Sequence, residues 1–150
     1  MPTNLNLYDT YRKAAADPLR AAAIPGTLKC MLVTATYAPN QVTDEFVTTP
    51  IVNEVVGSNY TARGNACATP TWTGPDGAGL LTFDASDPAT WLQHATGFTL
   101  GRRAIVYYDT GVNGTSRLVG FTDNVGSDLS NVGADVTVVF NVAGIYTAPR

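Results

Sequence analysis

His94 is the only histidine in the chain, so any chemistry that needs an imidazole must use it. Its neighbours Gln93 and Thr96 are poor metal ligands, and one His cannot build a His-rich metal site. As a general base it would need a nucleophile and an orienting acid. No Gly-x-Ser-x-Gly elbow locates such a serine, and Gly114-Thr115-Ser116 only follows a turn signal. His94 reads as a surface or packing residue.

The acids give a second candidate. Asp123-Asn124-Val125-Gly126-Ser127-Asp128 gathers oxygen ligands around a glycine. A calcium loop of the EF-hand type needs ligands at its third, fifth and twelfth positions. Here the third is Val125 and the twelfth is Ala134, so a plain turn is the better reading. Asp76, Asp84 and Asp87 are also turn residues, and nothing singles two of them out as a glycosidase pair. Gly74-Pro75-Asp76-Gly77-Ala78-Gly79 lacks the Lys-Ser/Thr of a phosphate-binding loop. Cys30 and Cys67 have no Cys-x-x-Cys spacing and, with no secretory signal, are expected as buried reduced thiols. Tyr107, Tyr108, Trp72 and Trp91 offer stacking surface for sugars or bases. Adjacent aromatics on a strand face opposite ways, so one of Tyr107 and Tyr108 is core by default. The expectation is a non-enzyme without cofactor or metal.

The elements that would position these residues change character along the chain. Residues 1–25 hold two Ala triplets around Pro18 and are expected to form short helices or an arm. Residues 26–150 read as one β-rich domain. Leu28–Tyr37 is an apolar strand, and Thr43–Thr49 one or two helical turns capped by Thr43. Ile51–Val56 is open between helix and strand. Ala66–Thr73, Leu80–Phe83, Arg102–Asp109, Arg117–Thr122 and Asp135–Asn141 follow as strands, with a turn at Gly74–Gly77 and a hairpin signal at Asn113-Gly114. Turns every 8–12 residues predict a mainly β fold, an antiparallel β-sandwich or barrel with one or two short helices.

Composition narrows the partners. The chain has 150 residues, 45% of them hydrophobic and only 14% charged, against roughly 25% charge in an ordinary domain. That suits a subunit that hides surface against neighbours. The net charge of -3 argues against nucleic acid, and no apolar run approaches the roughly 18 residues of a membrane span.

One segment carries more than composition. Asn53–Ala68 joins an apolar run to breaks at Gly57-Ser58-Asn59 and Gly64-Asn65, around Tyr60-Thr61. Before it stand Tyr37-Ala38-Pro39-Asn40 and Asp44-Glu45-Phe46-Val47. After it come Asp84, Asp87 and Trp91, then Ile105–Asp109 ending in Tyr-Asp, then Leu118–Asp123, and last Ala143-Gly144-Ile145. This order, over roughly Leu28 to Thr147, resembles small virion structural proteins of tailed bacteriophages. Ser58-Asn59 and Arg63 depart from the common pattern.

The resemblance implies a virion component made in the host cytoplasm and carries no catalytic residue over. The expected role is capsid decoration, a cement protein on the capsid surface that binds the major capsid protein as a homo-oligomer, with a trimer favoured. Tyr8, Tyr11 and Arg12 are its candidate interface residues, since aromatics and Arg dominate interface hot spots. Alternatives are a tail or neck component, or a surface sugar-binding module, which would need Trp72 or Trp91 exposed.

Overall fold

A computed structural model describes residues 5–8, 25–73, 80–123 and 127–149. Eight strands are named in it: β1 (Asn6–Leu7), β2 (Thr27–Thr34), β3 (Asn65–Ala66), β4 (Thr71–Thr73), β5 (Leu80–Asp84), β6 (Gly101–Asp109), β7 (Arg117–Asp123) and β8 (Tyr146–Pro149). A 3-10 turn, Pro50–Asn53, is the one helical element among the described residues. The strands form a five-stranded sheet in the order β1-β7-β6-β2-β3 and a three-stranded sheet in the order β4-β5-β8. Every ladder is antiparallel. The fold is mainly β and sandwich-like.

The centre of the large sheet is β2 against β6. Cys30, Met31, Leu32 and Val33 are consecutive and fully buried, as are Ile105, Val106 and Tyr107. Consecutive burial means that both faces of these strands are covered, where a half-exposed sheet would alternate. Tyr108 is buried too, so neither face of β6 leaves a tyrosine for stacking. Phe83 of β5 and the run Val136, Val138 and Phe140 complete the same core. Each large apolar side chain fully withdrawn from water adds about 1.5–3 kcal/mol. Cys30 and Cys67 are free thiols inside this core.

Several boundaries differ from the sequence expectation, each for a local reason. β2 ends at Thr34 because the ladder to β6 slips between Val33 and Thr34, and the Tyr37 amide turns back onto the Thr34 carbonyl. Thr43–Thr49 is not helical. Asn40 holds the turn instead, its Oδ1 accepting from the Val42 and Thr43 amides, and Val47 then donates to the Ser116 carbonyl at the β7 edge. Ile51–Val56 is both things in turn: Pro50–Asn53 is 3-10, and Glu54 then bridges Val33. Ala66–Thr73 is divided between the two sheets, with Thr69 at φ 48° in the corner. Asp135–Asn141 keeps the predicted alternation of buried Val136, Val138 and Phe140 but forms no named strand; it makes isolated bridges, at Val136 to Trp91 and again at Phe140. At the β6–β7 hairpin, the Thr115 and Ser116 amides both reach the Val112 carbonyl, a wider turn than a two-residue Asn-Gly loop. The Gly74–Gly77 turn and the Ala triplets lie outside the described residues.

Candidate functional site

The Asn53–Ala68 segment folds into a buckle across the end of β2. Gly57, Asn59, Arg63 and Gly64 make its turns, the last three at φ 59°, 69° and 70°. Gly64 lies so close to β2 that a Cβ would overlap the Cys30 carbonyl oxygen, and a Cβ on Gly57 would overlap the Phe98 backbone. Inside the buckle, the Tyr60 hydroxyl donates to Glu54 Oε1 at 2.7 Å and accepts from the Leu32 amide at 2.9 Å. Its ring stacks on Trp91 at 6.1 Å between centroids and meets Phe98 edge-on at 5.5 Å. Burial raises the Glu54 carboxyl above its ordinary range, although Tyr60 and the Arg63 and Gly64 amides all donate to it.

Arg63 carries the buckle across to the far end of β6. Its Nε lies 2.9 and 3.0 Å from the two Asp109 carboxylate oxygens, and its Nη1 donates to Asn113 Oδ1 at 2.7 Å. Lys29 Nζ sits 2.9 Å from the same carboxylate. Tyr107 donates to the Arg63 carbonyl at 2.8 Å. Burial pushes the Asp109 carboxyl up, but the Arg63, Lys29 and Gly111 donors outweigh it and hold it well below the usual carboxylate range. Every group here is paired within the chain. The arrangement clamps the buckle to the end of β6.

Tyr8, one of the three candidate interface residues, is 0% exposed within this chain. Its hydroxyl lies 2.8 Å from that of Tyr37, which in turn donates to Asp44 Oδ2 at 2.7 Å, so Tyr8 is the donor. Its ring tilts against Phe121 at 5.5 Å. Tyr11 and Arg12 lie outside the described residues.

A third grouping faces outward. Asn131 is fully buried, and its Nδ2 donates to the Ser58 and Leu92 carbonyls, at 3.1 and 2.9 Å. Its amide reaches the Phe98 carbonyl, and its own carbonyl accepts from His94. This one residue thus ties together the loops that carry four exposed apolar side chains: Val56, Leu92, Leu100 and Val132. Leu100 is 59% exposed and sits at φ 63°. A left-handed non-glycine residue costs about 1–2 kcal/mol, and an exposed leucine recovers none of it from the core. Nothing in the spacing of the sequence marks Leu100 or Asn131; only the loop geometry brings them together.

The remaining chemical candidates are structural in their surroundings. His94 is exposed, its Nδ1 bonded to the Thr96 amide and hydroxyl. Asp87 accepts from the Phe140 amide at 2.7 Å and Asp84 from the Ala85 amide at 2.9 Å. Trp91 is buried, and Trp72 is half-buried between Phe83 and Tyr146. Asp76 and the centre of the Asp123–Asp128 loop lie outside the described residues. Among the described residues no group of three His, Cys, Asp or Glu side chains comes together to hold a metal ion. No helix among them is long and apolar enough to cross a membrane.

No protein-family model, curated protein or solved structure matches the chain.

Proposed function

We propose that the chain is a structural protein of a tailed-bacteriophage virion, a capsid decoration protein that reinforces the DNA-filled head. The observation that carries this reading is the set of loops tied by Asn131, which carries Leu100 in a strained, exposed position and three further exposed apolar residues. Strain at an exposed site points to a contact made with something else. The motif order from Tyr37 to Ile145, the low charge and the rigid buckle agree with an assembly subunit. In this reading the cluster meets the major capsid protein, and the subunits join as a homo-oligomer, a trimer favoured, since such contacts close around a symmetry axis. Tyr11 and Arg12 are the further anchors.

Quantitative mass spectrometry of purified virions tests the proposal. On the order of hundreds of copies is expected, as an icosahedral shell offers that many equivalent sites. About a dozen copies would move the protein to the neck or tail. Absence from the particle would overturn the reading.

A further inference from the structure

We infer that Leu5–Tyr8 is an exchangeable strand, and that the outer edge of β7 takes this segment from a second copy of the chain. The inference does not rest on the virion reading. β1 is a peg held in a built slot. Its two residues pair with Phe121 and Gly120, the Tyr8 amide donates to the Val119 carbonyl at 3.2 Å, and Gln41 Nε2 donates to the Leu7 carbonyl at 3.1 Å. Leu7 and Tyr8 fill the core, with the Tyr37–Asp44 pair as the polar stop beneath the Tyr8 hydroxyl. Gly120 leaves the room for this: a Cβ there would stand 3.1 Å from Asn6 O, Leu5 Cβ and Leu7 Cδ2.

The edge of β7 is closed beyond the Tyr8 contact. The next stretch of β7 is taken by Glu45–Val47, through Leu118 N to Glu45 O at 3.0 Å and Val47 N to Ser116 O at 2.9 Å. Sixteen residues, Asp9–Ile24, separate Tyr8 from Pro25. Within one copy they join β1 to β2, which lies three strand positions away, about 14 Å across the sheet. Sixteen residues extend to about 50 Å. The link is thus much longer than that lateral step, and long enough to span to the same slot on an adjoining copy. A link of this kind gives its own slot an effective concentration on the order of millimolar, which a close-packed second copy can match. Strand addition to a sheet edge with buried side-chain pegs supplies both affinity and register. Tyr8 then serves as an interface residue while fully buried.

The test uses the full-length chain with a benzophenone amino acid at exposed Asn6. Chains of natural and heavy nitrogen are mixed in equal amounts, unfolded, refolded together at high concentration and irradiated. Trypsin releases residues 1–12 and 118–150, whose cross-linked product reports the β1–β7 pairing. About half of these products should join a light to a heavy peptide if pairing is between copies, as random closure of symmetric oligomers requires. Carrying Gly120→Val in the heavy chain alone crowds its slot, so the mixed product should then join a heavy 1–12 to a light 118–150. Products of one isotope only, or no product between these two peptides, would overturn the inference.

Discussion

Tyr60 gives its hydroxyl proton to Glu54 and takes the Leu32 amide on the same oxygen, so one phenol joins the buckle to the central strand. Glu54 itself bridges Val33, the next residue along β2. The turn-rich segment is fastened to the core at its middle and not only at its ends.

Tyr60→Phe should keep the Trp91 and Phe98 ring contacts while leaving the Leu32 amide and the Glu54 carboxylate each short of a partner. A buried group stripped of its hydrogen bond costs about 1–3 kcal/mol. Urea denaturation at neutral pH should show a loss of that size with the slope unchanged. An unaltered midpoint would mean that water replaces the hydroxyl.

Asp109 and Glu54 should pull stability in opposite directions with pH. The Asp109 carboxyl is held below its unfolded value of 3.8, so its contribution is present above that pH and is lost as the medium is acidified through the folded value. The Glu54 carboxyl is raised above 4.5, so its contribution is complete below that pH and fades as pH rises through the folded value. Asp109→Asn should therefore cost about 3 kcal/mol at pH 7, as expected when a largely buried ion pair loses one partner. The gap from wild type should narrow steadily as pH falls below 3.8. A constant gap across that range would place the stabilisation elsewhere.

Gly64 and Gly111 both lie at positive φ, 70° and 84°, but only Gly64 is crowded. Gly111→Ala should cost about 1–2 kcal/mol, the backbone penalty alone. Gly64→Ala adds a clash with the Cys30 carbonyl and should cost more than 4 kcal/mol or prevent folding. Thermal melts of the pair would separate conformation from space; equal losses would refute the close approach.

Leu100→Asn should act on stability and on assembly in opposite senses. Asn tolerates the left-handed region, so the isolated chain should gain about 1 kcal/mol. Co-sedimentation with DNA-filled heads should fall at least tenfold under the decoration reading. A variant that is more stable and binds as before would remove the loop cluster from the interface.

The two thiols supply a slower probe. Burial pushes Cys67 up to about 12 and Cys30 well above its ordinary value, with Asp87 near Cys67 and Cys67 near Cys30 adding to the rise. Thiol reagents at pH 8 should label neither before the chain unfolds, and reductant should leave the melting temperature unchanged. Rapid labelling of the native protein would contradict the packing.

The residues say much about the sheets and little about the ties between them. Arg102–Asp109 and Arg117–Thr122 were legible because β-branched and aromatic runs flank Asn113-Gly114, which is local information. Asp135–Asn141 shows the limit: its alternation predicts which side chains are buried, but pairing depends on who lies alongside, and there the segment meets Trp91 and Asp87 through isolated contacts and not a continuous strand. Thr43–Thr49 misled because its acids suit a helix start, whereas Asn40 and the open edge of β7 compete for the same backbone. The clamp between Arg63 and Asp109 spans 46 residues of chain. No spacing rule reaches that far.

The large sheet is unequal in its seams. β2 runs for eight residues against β6, whereas β1 offers only two to β7. Tension applied at the N-terminus would meet the short seam first and unzip it, sparing the long one, so the terminal strand acts as a mechanical fuse. A force–extension trace would record a small early release ahead of the main rupture. Under the decoration reading, such a fuse would let a subunit change its grip without losing its shape.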